Sequence, residues 1–308
     1  LMTAPGPEWT KQGESHGTYD TMIYYKVSDD GNAKMTARLE TPIEQSLLIP
    51  LLAVFNETKL YTTWMPRWER PIRSGVRKTQ VIREQGRCNQ LLLVNTDSPW
   101  PFSPREVLID VVVSDDIDAN GSIVVKLDSE VENDDDDVPP VEQGAVRCIF
   151  DGGLLFRKCP KDHASFQKSK HHRTTTDSDD IDEGDNQDMI LVCCEFMVDP
   201  LLTNVPQIMI NFITRTALGG IWAALLQIAQ DVRDKKHAQL AAAIEEKRDK
   251  VYDFVDERIQ VMLSSMLEGG TATTEEQGEQ LSDRSAVSDV LVSFGVNKEE
   301  LGEVLGFL

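Results

Sequence analysis

Few side chains in this sequence could do chemistry, and they are scattered. Cys159, His163, His171 and His172 fall in one polar stretch beside acidic residues, the raw material of a metal site. Their spacing matches no closed zinc pattern, and the stretch lacks the periodic apolar residues that would hold ligands in place. A solvated loop is the better reading. Cys88 and Cys193 are candidate nucleophiles, but no histidine stands where it could serve as the base that ionises a thiol. No Gly-rich loop of the kind that cradles phosphates is present. Arg105 beside Glu106 could meet a charged headgroup or form a salt bridge at a strand start, and the second reading is preferred. Thr174-Thr175-Thr176-Asp177-Ser178-Asp179-Asp180 sets hydroxyls beside acids, the pattern of an acidophilic kinase substrate. The sequence therefore predicts no enzyme: no catalytic residues, no metal and no cofactor.

The charge balance narrows the partners. The 308 residues carry 31 Lys and Arg against 52 Asp and Glu, a net charge of -21. No basic stripe is available to a phosphate backbone, so nucleic acid is not an expected partner. The same acidity opposes permanent adsorption on an anionic membrane but leaves room for transient contact. No run approaches the roughly 18 apolar residues of a membrane-spanning helix. Leu1 to Glu8 has neither a basic nor an apolar region and reads as no secretory signal. Five cysteines, an odd number with Cys193 and Cys194 adjacent, do not read as a disulfide framework. A cytoplasmic protein with reduced thiols is expected.

The elements that must position any site follow from periodicity. Met22 to Val27 and Lys34 to Glu40 read as strands around an Asp30-Gly31-Asn32 turn. Pro42 is expected to open a helix, with Ile43, Leu47, Leu48, Leu51, Leu52 and Phe55 at helical spacing and Pro50 as a break or kink. An aromatic-rich stretch, Leu60 to Trp68, follows. Thr79 to Arg83, Cys88 to Asn95, Glu106 to Ser114, Ser122 to Val131, Ala145 to Asp151 and Leu154 to Lys158 are short β-prone segments. Turn residues separate them, Gly152-Gly153 among them. Regular spacing without helices between predicts an antiparallel meander, which Met189 to Val198 completes. Two insertions, residues 132–140 and 159–188, read as solvated acidic loops. Asn204-Val205-Pro206 starts a helix apolar on most of its circumference, with a bend expected at Gly219-Gly220. From Gln230 onward an amphipathic helix carries Leu240, Ile244, Val251, Val255, Ile259, Met262 and Met266 on one face. It could form a dimer seam or fold back on the domain.

Three stretches carry a resemblance to the START family of lipid-transfer domains. Leu60-Tyr61-Thr62-Thr63-Trp64-Met65-Pro66 is similar to the family's Trp-containing segment after its first long helix. Pro99-Trp100-Pro101-Phe102-Ser103-Pro104-Arg105-Glu106 resembles its Trp-Pro…Arg-Asp element, with Glu106 in place of the commoner Asp. Asp199-Pro200, with Val205-Pro206-Gln207-Ile208-Met209-Ile210-Asn211-Phe212, is similar to the turn and opening of its C-terminal lid helix. The resemblance implies an α+β helix-grip fold (START/Bet v 1-like): a curved antiparallel sheet with a long C-terminal lid helix, one lipid held between them. It also implies that Leu92 and Val111 stand where sterol-carrying relatives keep a charged pair, which favours a phospholipid or other acyl-chain lipid over a sterol. The implied layout is a START-like domain over residues 9–238, a helical extension over 239–268, a linker over 269–281 and a short helical segment over 282–308.

The strands support a cavity on physical grounds. A sheet with one wet face alternates, but Leu91-Leu92-Leu93-Val94, Val107 to Val113 and Ile190 to Val198 are apolar on both faces. One face needs core helices and the other must meet something apolar. Burying a methylene is worth about 0.8 kcal/mol, so a chain of roughly 16 carbons gains on the order of 10 kcal/mol gross. The expected lining is Leu91, Leu93, Ile109, Val111, Val125, Cys148, Phe150, Cys194 and Phe196 from the sheet, with Met209, Phe212, Ile213 and Trp222 from the lid. A slip of one residue in register would exchange the two faces. The alternative is a scaffold with a filled cavity, acting through its acidic loops or through a protein partner or self-association over residues 239–308.

Overall fold

Leu47, Leu48, Leu51 and Val54 are all fully buried, and they explain why helix α1 (Gln45–Asn56) continues past Pro50. A helix-interior proline costs about 3 kcal/mol. Burying each of four large apolar side chains gives roughly 1.5–3 kcal/mol. Packing wins, and the expected break does not occur. The computed structural model describes residues 4–16, 20–28, 34–69, 73–98, 102–129, 138–161, 163–164, 189–202, 205 and 207–268. The Asp30-Gly31-Asn32 turn, residues 132–137, most of the 159–188 insertion with its Thr174 to Asp180 run, and the segments 269–281 and 282–308 lie outside the described residues.

The strands are β1 (Thr10–His16), β2 (Asp20–Val27), β3 (Met35–Ile43), β4 (Gly75–Gln85), β5 (Asn89–Asp97), β6 (Arg105–Asp116), β7 (Ser122–Asp128), β8 (Val146–Arg147), β9 (Ile149–Lys158) and β10 (Ile190–Asp199). They form one sheet in the order β1-β2-β3-β10-β9-β7-β6-β5-β4. Every pairing along that path is antiparallel, and the short β8 pairs parallel with β6. Thus β10, the last strand in sequence, returns to the middle of the sheet between β3 and β9.

Two punctuation residues behave differently from expectation. Pro42 lies inside β3, opposite Leu191, rather than opening a helix; the ladder from β3 to β2 runs only as far as Glu40. Gly152-Gly153 is not a turn, because β9 runs unbroken through it. Gly152 lies opposite Phe196, and a Cβ there would stand 2.5 Å from the Glu195 carbonyl oxygen and 2.7 Å from Phe196 Cα. The glycine is needed for close approach of two backbones, not for a reversal.

After α1 the chain makes a 3-10 turn (Thr58–Leu60) and a single helical turn, α2 (Tyr61–Trp64), both against β4. Between β6 and β7 lies α3 (Ile117–Asn120). The lid consists of α4 (Gln207–Phe212), one wide π turn (Ile213–Ala217) and α5 (Leu218–Arg233), which packs along α1. The departure from α geometry thus precedes Gly219-Gly220.

The amphipathic segment folds back. It forms α6 (Ala238–Glu246), a second π turn (Arg248–Tyr252) and α7 (Asp253–Glu268). His237 caps α6 by accepting from the Leu240 N–H at 3.2 Å. Leu240, Ile259 and Met262 enter the same core cluster as the sheet and α1. The apolar stripe that could have formed a dimer seam is therefore spent on its own chain. Polar contacts fix it further: Lys247 Nζ to Glu57 at 3.0 Å, Tyr252 hydroxyl to Glu57 at 2.6 Å, and Arg258 to Asp115 and Asp118.

Candidate functional site

Strand register places side chains in rows on the face that meets the lid. The first row is Ile123, Phe156, Val192 and Thr41; the second is Val113, Val125, Leu154, Cys194 and Leu39; the third is Val111, Leu127, Gly152, Phe196 and Ala37. The first row is buried throughout, beneath α1, Trp222 and Leu225. In the second row Val113 is only half-buried, and in the third Val111, Leu127 and Phe196 all are. Phe150 stacks on Phe196 at 5.7 Å between centroids and is half-buried too. Inward-facing apolar surface is therefore covered near α1 and progressively uncovered towards the start of the lid.

Of the sequence-predicted lining, Val111, Val125, Cys194, Phe196 and Trp222 come together in one cluster. Ile109 shares their face through its pairing with Leu92. Leu92 and Val111 both stand on that same face of the sheet, through the pairings of Leu92 with Ile109 and of Gln90 with Val111. Phe212 is buried, edge-on to Trp68 at 5.9 Å, and Met209 is half-buried beside it in α4. Cys148 is buried between β8 and β9, in the field of Arg105, Glu106 and Asp199.

Three expectations need correction. Leu91 and Leu93 stand on the outer face of the sheet: Leu91 lies opposite Asp110, Leu93 opposite Leu108, and they form a separate cluster with Leu108, Ile82 and Val138. The run of four apolar residues gives no phase, and the phase comes out one residue from that expected. Ile213, the first residue of the π turn, is 37% exposed rather than enclosed. Sequence reasoning also missed Gln90, a buried polar group on the lid-facing side. It accepts from the Thr58 hydroxyl at 3.2 Å and donates to the Asn56 carbonyl at 3.0 Å, closing the end of α1 against β5. Its place opposite Val111 was the only signal, and it required the register.

The described members of the groups that suggested chemistry make the following contacts. Burial pushes the Cys193 thiol up to about 12 and the Cys148 thiol up to about 11, and it raises Cys194 and Cys88 as well. The thiolate is the nucleophilic form, and burial disfavours it at each of these cysteines. His163 Nε2 lies 3.1 Å from Glu40 on the outer face, where Glu40 also pairs with Arg38 at 2.6 Å. Burial raises Glu40, but the His163 contact and the Arg38 guanidinium outweigh it and hold the carboxyl below the usual glutamate value. No group of three metal-ligating side chains occurs among the described residues. The ion pair at the strand start belongs to Glu106, fully buried and bound by Arg147 at 2.6 Å, whereas Arg105 donates to the carbonyls of Pro200, at 3.0 Å, and Ser103. Arg105 thereby fixes the turn that leads into the lid.

No family model matches the chain, and no curated protein matches it in sequence. Solved structures do match. Human STARD10 superposes with a TM-score of 0.50 over 77% of this chain and 79% of its own, at 10% identity. The fold is the START helix-grip fold. Human StAR-related lipid transfer protein 5 is similar over 74% of this chain and 89% of its own (TM-score 0.49, 16% identity). A STAR-related lipid transfer protein fragment from Xanthomonas axonopodis is similar over 72% and 99% (TM-score 0.48, 16% identity). In the START frame, the uncovered rows lie on the inner face of the sheet, under the lid. No helix among the described residues is long and apolar enough to cross a membrane.

Proposed function

We propose that this chain binds one lipid between the inner face of its sheet and the lid helix, and transfers or senses it without catalysing a reaction. One observation carries this reading: Val111, Val113, Leu127, Phe150 and Phe196 face inward yet remain partly uncovered by the protein's own side chains. Covering apolar surface is worth about 25 cal/mol per Å², and an acyl chain laid along those adjoining rows would cover it. The apolar identity of Leu92 and Val111 favours a phospholipid or other acyl-chain lipid over a sterol. We assign lipid binding to residues 9–238, with 239–268 as an attached helical extension. Loading calls for transient contact with a membrane, and we place the protein in the cytoplasm, where its thiols stay reduced.

The test is extraction from vesicles. The full chain is incubated with phosphatidylcholine vesicles, separated from them and weighed by native mass spectrometry. A complex of one protein with one phospholipid is expected; protein that stays unloaded with every acyl lipid offered refutes the reading. A second reading, a scaffold with a filled interior, is favoured by the complete burial of Phe156, Val192 and Ile190 beneath α1. It predicts that unloaded result, together with undiminished binding of protein partners.

A further inference from the structure

Two tryptophans are buried in the principal core, and they differ in one respect. The indole N–H of Trp222 donates to the Thr41 hydroxyl at 2.7 Å, and Thr41 is in turn 3.0 Å from the Thr21 hydroxyl. The indole N–H of Trp64 has no partner, although the residue is only 9% exposed. Buried tryptophan N–H groups normally find an acceptor, since leaving one unpaired in an apolar setting forfeits its hydration for nothing. The Tyr61 ring lies edge-to-face with Trp64 at 5.5 Å, but its hydroxyl is engaged with the Phe55 carbonyl at 2.8 Å. Trp64 belongs to the same contiguous cluster as Val111, Val113, Leu127 and Phe196, the residues left partly uncovered under the lid.

We propose that the Trp64 indole N–H is the polar anchor of the bound lipid, donating a hydrogen bond to an acyl ester carbonyl. The assignment rests on the lipid-binding reading above and adds what the site recognises. An indole only donates, so the ligand must supply an acceptor. The surrounding cluster is apolar, so a neutral carbonyl fits where a phosphate or carboxylate would lie desolvated and without a counter-charge. On the same side of the sheet the polar groups of Gln90 and Thr41 are already engaged by Thr58, Asn56 and Trp222, which leaves the Trp64 N–H as the donor with no acceptor among the described residues.

The experiment uses the full chain labelled with 15N, two short-chain phosphatidylcholines, and the variant Trp64→Phe. One probe carries ester-linked chains and the other ether-linked chains, which removes the carbonyls and keeps the headgroup. The chain has five tryptophans, and the variant identifies the Trp64 indole signal by its loss. Binding of the diester is expected to move that signal downfield. Trp64→Phe is expected to weaken the diester by about ten-fold, equivalent to 1.4 kcal/mol, and the diether by much less. Equal losses for both probes, or a Trp64 signal that does not move when the diester binds, overturn the assignment and leave lipid binding standing. A wild-type chain that binds neither probe overturns the lipid reading and this assignment with it. Should Trp64→Phe fold poorly, the signal is identified by elimination, replacing each of the other four tryptophans with phenylalanine in turn, and the shift is read on unmodified protein.

Discussion

Met262 lies on α7, well beyond the lid in sequence, yet none of its surface reaches solvent and it shares a cluster with Leu47, Leu51, Phe156 and Trp222. Replacing it with alanine removes a buried side chain worth about 1.5–3 kcal/mol of transfer free energy and leaves a hole that its neighbours close only partly. Large-to-small core substitutions of this kind cost about 2–5 kcal/mol. In a chain of this size each kcal/mol lowers the melting midpoint by about 2–4 °C, so Met262→Ala should lower it by about 4–20 °C, with a central expectation near 10 °C. Val261 is the control. It is adjacent on the same helix, but 40% exposed, and Val261→Ala should shift stability by about 0.5 kcal/mol at most. Urea unfolding followed by tryptophan fluorescence and by far-ultraviolet circular dichroism gives the comparison. Coincident transitions that move together in Met262→Ala are expected, because α7 and the sheet share one core. A stability loss no larger than that of Val261→Ala would refute the claim that the extension is integral to the fold. So would a separate early transition that alone carries the change.

Three further outcomes follow from the same packing. Gly152→Ala places a methyl against the backbone of β10, and overpacking of about 1–3 kcal/mol should appear as a lower urea midpoint; an unchanged midpoint would contradict the close approach of β9 and β10. Glu40 is held below its ordinary value of 4.5, so its stabilising contribution is complete above that pH and declines as acid protonates it in the folded state. The stability gap between wild type and Glu40→Gln should therefore be constant near neutrality and narrow below about pH 4.5. A gap that widens on acidification would reverse the sign assigned to the Arg38 and His163 contacts. Cys148, Cys193 and Cys194 are buried with raised thiol values and should resist iodoacetamide at pH 8 until the protein is unfolded, as peptide mass mapping would show; rapid labelling of Cys193 in the native state would contradict its placement.

The sequence was informative where a pattern had a single phase and a single length. The meander, the apolar lid and the amphipathic extension all announce themselves by periodicity, and each forms. Leu91-Leu92-Leu93-Val94 has no phase, because every position is apolar, so only pairing with β6 decides that Leu92 faces inward. Asp110, opposite Leu91, marks the outer side, but using it requires a register that turn lengths alone do not fix. Gly152 and Pro42 misled for a related reason. Both are turn formers in isolation, and both are retained within strands by contacts to β10, a strand distant in sequence. Trp64 could be picked out as a motif residue, but that its N–H has no acceptor is a property of packing alone.

The hydrogen bond from Trp222 to Thr41 restricts how the interior can be reached. A swing of the whole lid as one rod would break that bond and strip α5 from α1, exposing Leu225, Leu226 and Ala229 together. Unwinding of α4 alone, ahead of the wide turn at Ile213–Ala217, leaves all of this in place. For the proposed lipid, melting of that short end would disturb fewer of these contacts than a swing of the whole lid, chiefly those of Phe212.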